Sequence, residues 1–209
     1  VMNTALAGSV TVARAASAAV PVAAAVARPT GHFHPLGQPP SAFTVAARKQ
    51  ADASLPFEDR RDFEESRRGF VAAPTAAQIK TEAGAVAWNF GAYDFLKGDA
   101  NYDSIHPSLQ RQAVLNAQYG LFEVVPGRIW QVRGFDLSNI TLVKGDSGWI
   151  VFDPLVSQET AAAALAFANE QLGARPVVAV VYSHSHIDHF GGVRGVIEEA
   201  DVKAGKVQV

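Results

Sequence analysis

The chain has 209 residues, 48% of them hydrophobic and 18% charged, with a formal net charge of −2 and no cysteine. That length supports one domain with a sizeable core, and the near balance of charge gives no reason to expect a nucleic acid or an anionic membrane surface as partner. Without cysteine, disulfides and thiolate ligands are excluded, and any metal must be held by imidazole and carboxylate.

The first 28 residues stand apart: eleven are alanine, six are valine, and Arg14 and Arg28 are the only charges. Residues 15–27 form a small-residue run of signal-peptide length that ends in the steps Ala23-Ala24-Ala25 and Ala25-Val26-Ala27. The run is too short to span a bilayer. It predicts export to the periplasm or beyond; the alternative is a structureless Ala-rich leader on a cytoplasmic chain. Residues 29–53 read as a Pro-rich linker followed by a short helix over 42–53. His32 and His34 are spaced for one metal, but a flexible Pro-rich segment argues against a ligand role. Residues 54–119 read as a helical arm. Phe57, Phe63 and Phe70 are candidate anchors for it, and the mixed charges over 58–68 form a solvated surface. Trp88, Phe90, Tyr93 and Phe95 crowd an aromatic stretch that must pack against something. A helix opens at Pro107-Ser108, with a small hydroxyl residue as its cap and Gly120 as its end.

Strand patterns follow over 121–125 and 129–132, joined by Pro126-Gly127, and over 139–143 and 149–152, joined by a turn at 144–148. Residues 158–172 are an Ala-rich helix with Ser157 as cap and Gly173 as stop. The unbroken apolar run 177–181 suits a strand buried on both faces. Strands, helix, buried strand: from residue 120 the order is that of half an α/β layered sandwich.

That last strand runs into His184-Ser185-His186-Ile187-Asp188-His189, with Gly191-Gly192 behind. His184 and His186, two apart, point to the same side of an extended chain and can reach one cation. Asp188 and His189 can hold a second cation a few Å away. Gly191-Gly192 allows a sharp turn beneath the site. Three histidines and an aspartate in six residues can also be a solvated surface cluster. A cluster of that kind does not usually follow a five-residue Val/Ala run or precede a Gly-Gly pair.

The string His184-x-His186-x-Asp188-His189 resembles the signature of the metallo-β-lactamase superfamily. Stretches over 120–125, 131–139, 148–155 and 189–196 resemble, within it, the bacterial alkyl sulfatases that hydrolyse dodecyl sulfate and similar esters. So do Asp62-Phe63, Arg67-Arg68-Gly69-Phe70 and residues 101–112. The resemblance implies an α/β fold, the N-terminal half of an αββα sandwich preceded by a helical arm. It implies two zinc ions, with His184 and His186 on the first and Asp188 and His189 on the second. Asp188 would also orient the nucleophilic water, and Asp153 would brace the metal loop as a structural group rather than a ligand. The expected substrate is a small alkyl sulfate ester. The family pattern runs well past Val209, to further ligands and a dimerisation domain, so a longer, homodimeric parent is expected. Two rivals remain: another hydrolase of the same fold (lactonase, thioesterase or β-lactamase), and a non-catalytic, weakly metal-binding piece with one sheet face uncovered.

Overall fold

A computed structural model of the chain describes residues 39–97 and 102–209. The Ala-rich leader, His32, His34, most of the Pro-rich linker and Asn101 lie outside the described residues.

Helix α1 (Ala42–Ser54) starts where the Ser41 hydroxyl accepts the Thr44 N–H at 3.1 Å. Arg48 is its one buried residue; Nη1 meets Asp52 Oδ2 at 2.6 Å and Nε donates to the Tyr102 carbonyl at 3.0 Å, which ties α1 to the segment ahead of the third helix. The arm is less helical than its sequence suggests. Beside α2 (Arg61–Glu65) and a 3-10 segment (Phe90–Leu96) it carries β1 (Phe70–Ala72) and a hairpin of β2 (Gln78–Lys80) and β3 (Val86–Asn89). Phe63 is gripped by two guanidinium groups, Arg60 at 3.8 Å and Arg111 at 4.7 Å from its ring centre. Helix α3 (Pro107–Asn116) is not capped by a hydroxyl: His106 Nδ1 accepts the Ser108 N–H at 3.2 Å, and Pro107 sits in the first turn, where its missing N–H costs nothing. Nor does Gly120 end it. The helix closes at Ala117, and Gly120 opens β4 (Gly120–Val125) with φ 137°, where a Cβ would stand 2.4 Å from the Ala72 carbonyl oxygen.

From β4 the main sheet is built in turn by β5 (Ile129–Arg133), β6 (Ile140–Lys144), β7 (Trp149–Phe152) and β8 (Val177–Val181), with β1 on the outer side of β4. Neighbours are antiparallel except β7 and β8, which are parallel and joined by helix α4 (Gln158–Leu172). The α4 boundaries match the sequence reading. Ser157 and Thr160 form a reciprocal cap, and Gly173 follows the last residue with φ 91°.

One face of the sheet makes the core. Leu121, Trp130, Val132, Ile140, Leu142, Val151 and Val180 pack with the small residues Ala161, Ala164 and Ala168 of α4 and with Phe90, Phe135 and Phe167. The opposite face is only half-covered. There Ile129, Val143, Ile150 and Ala179 form one cross-strand row, and Gln131, Thr141, Phe152 and Val181 the next. The expectation that 177–181 is buried on both faces is therefore wrong. Of the five residues only Val180 is buried, and Val181 is 39% exposed, because among the described residues no second layer covers that face. The outer edge of β8 is met by the chain around Gln208, whose carbonyl accepts the Val180 N–H at 2.8 Å and whose N–H reaches the Val178 carbonyl at 3.1 Å. No helix of the described residues is long and apolar enough to cross a membrane.

Candidate metal centre

The histidine loop leaves the C-terminal end of β8, beside the C-terminal end of β7. At that end Asp153 and Leu155 hold left-handed backbone, φ 53° and 62°, a conformation costing a non-glycine residue about 1–3 kcal/mol. The turn is fixed by the Asp153 N–H on the Val181 carbonyl (3.0 Å), the Leu155 N–H on the Asp153 carbonyl (2.8 Å) and the Gly192 N–H on the Leu155 carbonyl (2.9 Å). Its result is to aim the Asp153 carboxylate at the start of the loop. Oδ1 accepts the Ser183 N–H and Oδ2 the Ser183 hydroxyl, each at 2.7 Å. Burial pushes the Asp153 carboxyl up, but the Ser183 backbone and hydroxyl and the neighbouring His189 ring outweigh it and hold the group below the ordinary carboxylate value.

Because Asp153 stays ionised, the Ser183 proton goes to it, and the Ser183 oxygen is left to accept from His184 Nδ1 at 2.9 Å. A proton on Nδ1 leaves His184 Nε2 with a free lone pair. That nitrogen lies 3.1 Å from His186 Nδ1. The His189 ring lies 4.0 Å from the His184 ring, tilted 48° to it, and its Nε2 lies 3.3 Å from Asp188 Oδ2. His189 Nδ1 is 3.0 Å from Asp153 Oδ2 but off the line a hydrogen bond requires, so it is a buried nitrogen without a hydrogen-bond partner. His184 and His186 are exposed, while Asp188 and His189 are half-buried.

These donors suit a divalent metal. Two ligands 2.0–2.1 Å from a tetrahedral ion such as zinc stand about 3.4 Å apart, close to the 3.1 Å of His184 and His186 and the 3.3 Å of Asp188 and His189. The chain supplies pairs only: among the described residues no three His, Asp or Glu side chains converge on one point.

Gly191 and Gly192 serve proximity rather than a special turn. Gly192 has φ −86°, open to any residue, but a Cβ on it would lie 2.2 Å from the Pro154 carbonyl oxygen, and one on Gly191 2.3 Å from that of Val156. The loop behind the histidines thus lies directly on the turn between β7 and α4. Sequence reasoning missed a second clasp. Asp136 is 8% exposed; its Oδ1 accepts the Ser138 N–H at 3.1 Å, and its Oδ2 accepts the Val156 N–H at 2.9 Å and the Thr160 hydroxyl at 2.6 Å. The Ser138 hydroxyl in turn donates to the Asp188 carbonyl. The Asp-x-Ser spacing, typical of an Asx turn, is the one local sign of this arrangement. Ser183 was missed as well, although it adjoins His184.

Residues 133–209 match the Metallo-beta-lactamase superfamily. An (R)-specific secondary-alkylsulfatase of Pseudomonas sp. is 50% identical over 189 residues, 90% of this chain and 28% of that protein. An alkyl/aryl-sulfatase of Saccharomyces cerevisiae is 42% identical over 166 residues, 79% of this chain and 26% of that protein. The solved structure of a stereoselective inverting sec-alkylsulfatase from Pseudomonas sp. superposes with a TM-score of 0.76 at 52% identity, over 81% of this chain and 26% of that one. The chain spans about a quarter of the length of these relatives.

Proposed function

We propose that the chain, whose residues 133–209 match the metallo-β-lactamase superfamily, is the metal-binding portion of an enzyme that hydrolyses alkyl sulfate esters, dodecyl sulfate among them, to alcohol and sulfate. The observation that carries this reading is the paired donor geometry of His184, His186, Asp188 and His189 at the end of β8, in a chain half identical to alkylsulfatases. We take the metals to be two zinc ions, the first on His184 and His186, the second on Asp188 and His189. When bound, they supply Lewis acidity toward the sulfate oxygens and an acidified water.

The chain's own residues do the rest. Asp153 and Ser183 fix the His184 ring and its tautomer. Ser138 holds the Asp188 backbone in place, so the Asp188 carboxylate, half-exposed, can orient the attacking water and accept its proton. The test is release of inorganic sulfate from dodecyl sulfate by the zinc-loaded full-length protein. Turnover that stops on chelation and returns with zinc is expected. A protein that leaves dodecyl sulfate intact but opens a lactone, thioester or β-lactam sinks the reading.

One observation favours a narrower role for residues 1–209 taken alone. Among the described residues two donors face each ion, where zinc takes about four, and one sheet face is half-covered. Weak zinc binding and no ester turnover are the expected outcome for this stretch assayed by itself.

A further inference from the structure

Asp188 and His189, the ligands proposed for the second ion, adjoin in the chain, so a single rigid peptide unit joins them and sets how their side chains diverge. We infer that Asp136 and Ser138, from the loop between β5 and β6, are positioning residues for that peptide unit and so govern the second metal ion separately from the first, an inference that rests on the two-ion reading proposed above.

The peptide unit is held at both ends. Its N–H, that of His189, donates to the His186 carbonyl at 3.0 Å and closes the 3-10 turn Ile187–His189 from within. Its carbonyl, that of Asp188, accepts from outside the loop, from the Ser138 hydroxyl. The Ile187 carbonyl, by contrast, is taken inside the loop by the N–H groups of Phe190 (3.2 Å) and Gly191 (2.7 Å). With the peptide plane pinned, the Cα atoms on either side of it are fixed, and the two side chains meet at 3.3 Å between Asp188 Oδ2 and His189 Nε2.

Ser138 can serve as an anchor because it is itself anchored. It is 8% exposed, and its N–H donates to Asp136 Oδ1 at 3.1 Å. Asp136 Oδ2 accepts the Val156 N–H at 2.9 Å and the hydroxyl of Thr160, in the first turn of α4, at 2.6 Å. The Ser138 hydroxyl is thus tied to the start of α4 and not to the loop it steadies. The first pair is held by another route, and there the grip falls on a ring: Asp153 takes the Ser183 proton, and the Ser183 oxygen takes His184 Nδ1. Among the described residues no hydrogen bond joins Asp136 or Ser138 to Asp153, Ser183 or His184. Asp153 does approach His189 Nδ1, at 3.0 Å, but off the line a hydrogen bond requires.

The test titrates zinc into the metal-free full-length protein against a chromophoric chelator, reading two successive affinities. Ser138→Ala removes the hydroxyl and keeps the N–H on Asp136. It should weaken one step by about 10–100-fold, the scale of outer partners to metal ligands, and leave the other within about twofold. Ser138→Thr, which keeps the hydroxyl, should recover most of the loss. Ser183→Ala should weaken the other step, and the double variant both steps, each by its own factor. Unchanged affinities, a loss in the same step as Ser183→Ala, or uptake of a single zinc overturns the inference. So does a loss spread over both steps with a lower melting temperature of the metal-free protein, the mark of a merely structural Ser138. None of these readings needs turnover. The expected split in a protein that hydrolyses no sulfate ester keeps the inference and removes the proposed reaction; dodecyl sulfate hydrolysis with an unsplit loss does the reverse.

Discussion

Ser183 stands between an ionised carboxylate and an imidazole, and its single proton serves the carboxylate at 2.7 Å, which leaves its oxygen for His184 Nδ1 at 2.9 Å. Outer partners of this kind typically matter by 10–100-fold in metal affinity. Ser183→Ala should therefore weaken zinc binding by about that factor in competition with a chromophoric chelator, while Ser183→Thr, which keeps the hydroxyl, restores it. Unchanged affinity in the alanine variant would show that the hydroxyl does not set the ring. This scale also shows why part of the site was legible and part was not. His184, His186, Asp188 and His189 occupy six consecutive positions, so the sequence places them together whatever the fold does. Of the partners that steady them, Asp153 is anticipated through the family resemblance alone and Asp136 not at all; they lie 30 residues from Ser183 and 20 from Val156. Nothing local in the sequence joins those pairs.

The elements divide along the same line. Helix α4 was read to the residue because its signals lie in its own ends: Ser157 and Thr160 close the first turn and Gly173 the last. Helix α3 has the same kind of boundary, but an imidazole does the work of a hydroxyl, and propensity ranks that choice low. In the sequence the Gly191-Gly192 pair suggests a sharp turn; in the fold it serves close packing against the turn between β7 and α4. Two glycine replacements separate these uses. Gly192→Ala drives a methyl to 2.2 Å from the Pro154 oxygen and 2.5 Å from that of Ser157, and overpacking of this kind costs about 1–3 kcal/mol or more. Gly127→Ala, at φ 69° with nothing within 4 Å, meets only the left-handed backbone penalty of about 1–2 kcal/mol. Thermal or urea unfolding should rank Gly192→Ala as the more harmful and show it also loosening zinc. Equal losses would mean that the loop shifts to admit the methyl.

At the scale of the whole sheet, the described residues cover one face and half-cover the other. The covered face is the alternating pattern any amphipathic strand announces, which is why the strand order and the crossover helix were readable. The run 177–181 misled because an unbroken apolar strand predicts two covered faces, and the described residues cover one. The row Ile129, Val143, Ile150, Ala179 is the consequence, and it should bind a hydrophobic dye in the 209-residue chain. Val143→Lys with Ile150→Lys should reduce that signal severalfold and suppress self-association in sedimentation, since apolar patches of this kind drive association; dye binding that survives both changes would place the sticky surface elsewhere. The parallel pairing of β7 with β8 sets a further condition, one of time. Residue 153 meets residue 183 only after the intervening helix has been laid down, and closing a loop of about thirty residues costs on the order of 3 kcal/mol of chain entropy before any contact repays it. The histidine loop is therefore expected to form in the late part of folding, after the sheet and α4 have come together. A cation arriving early finds no paired donors. One arriving late acts as a latch on a finished molecule, slowing its unfolding without hastening its folding.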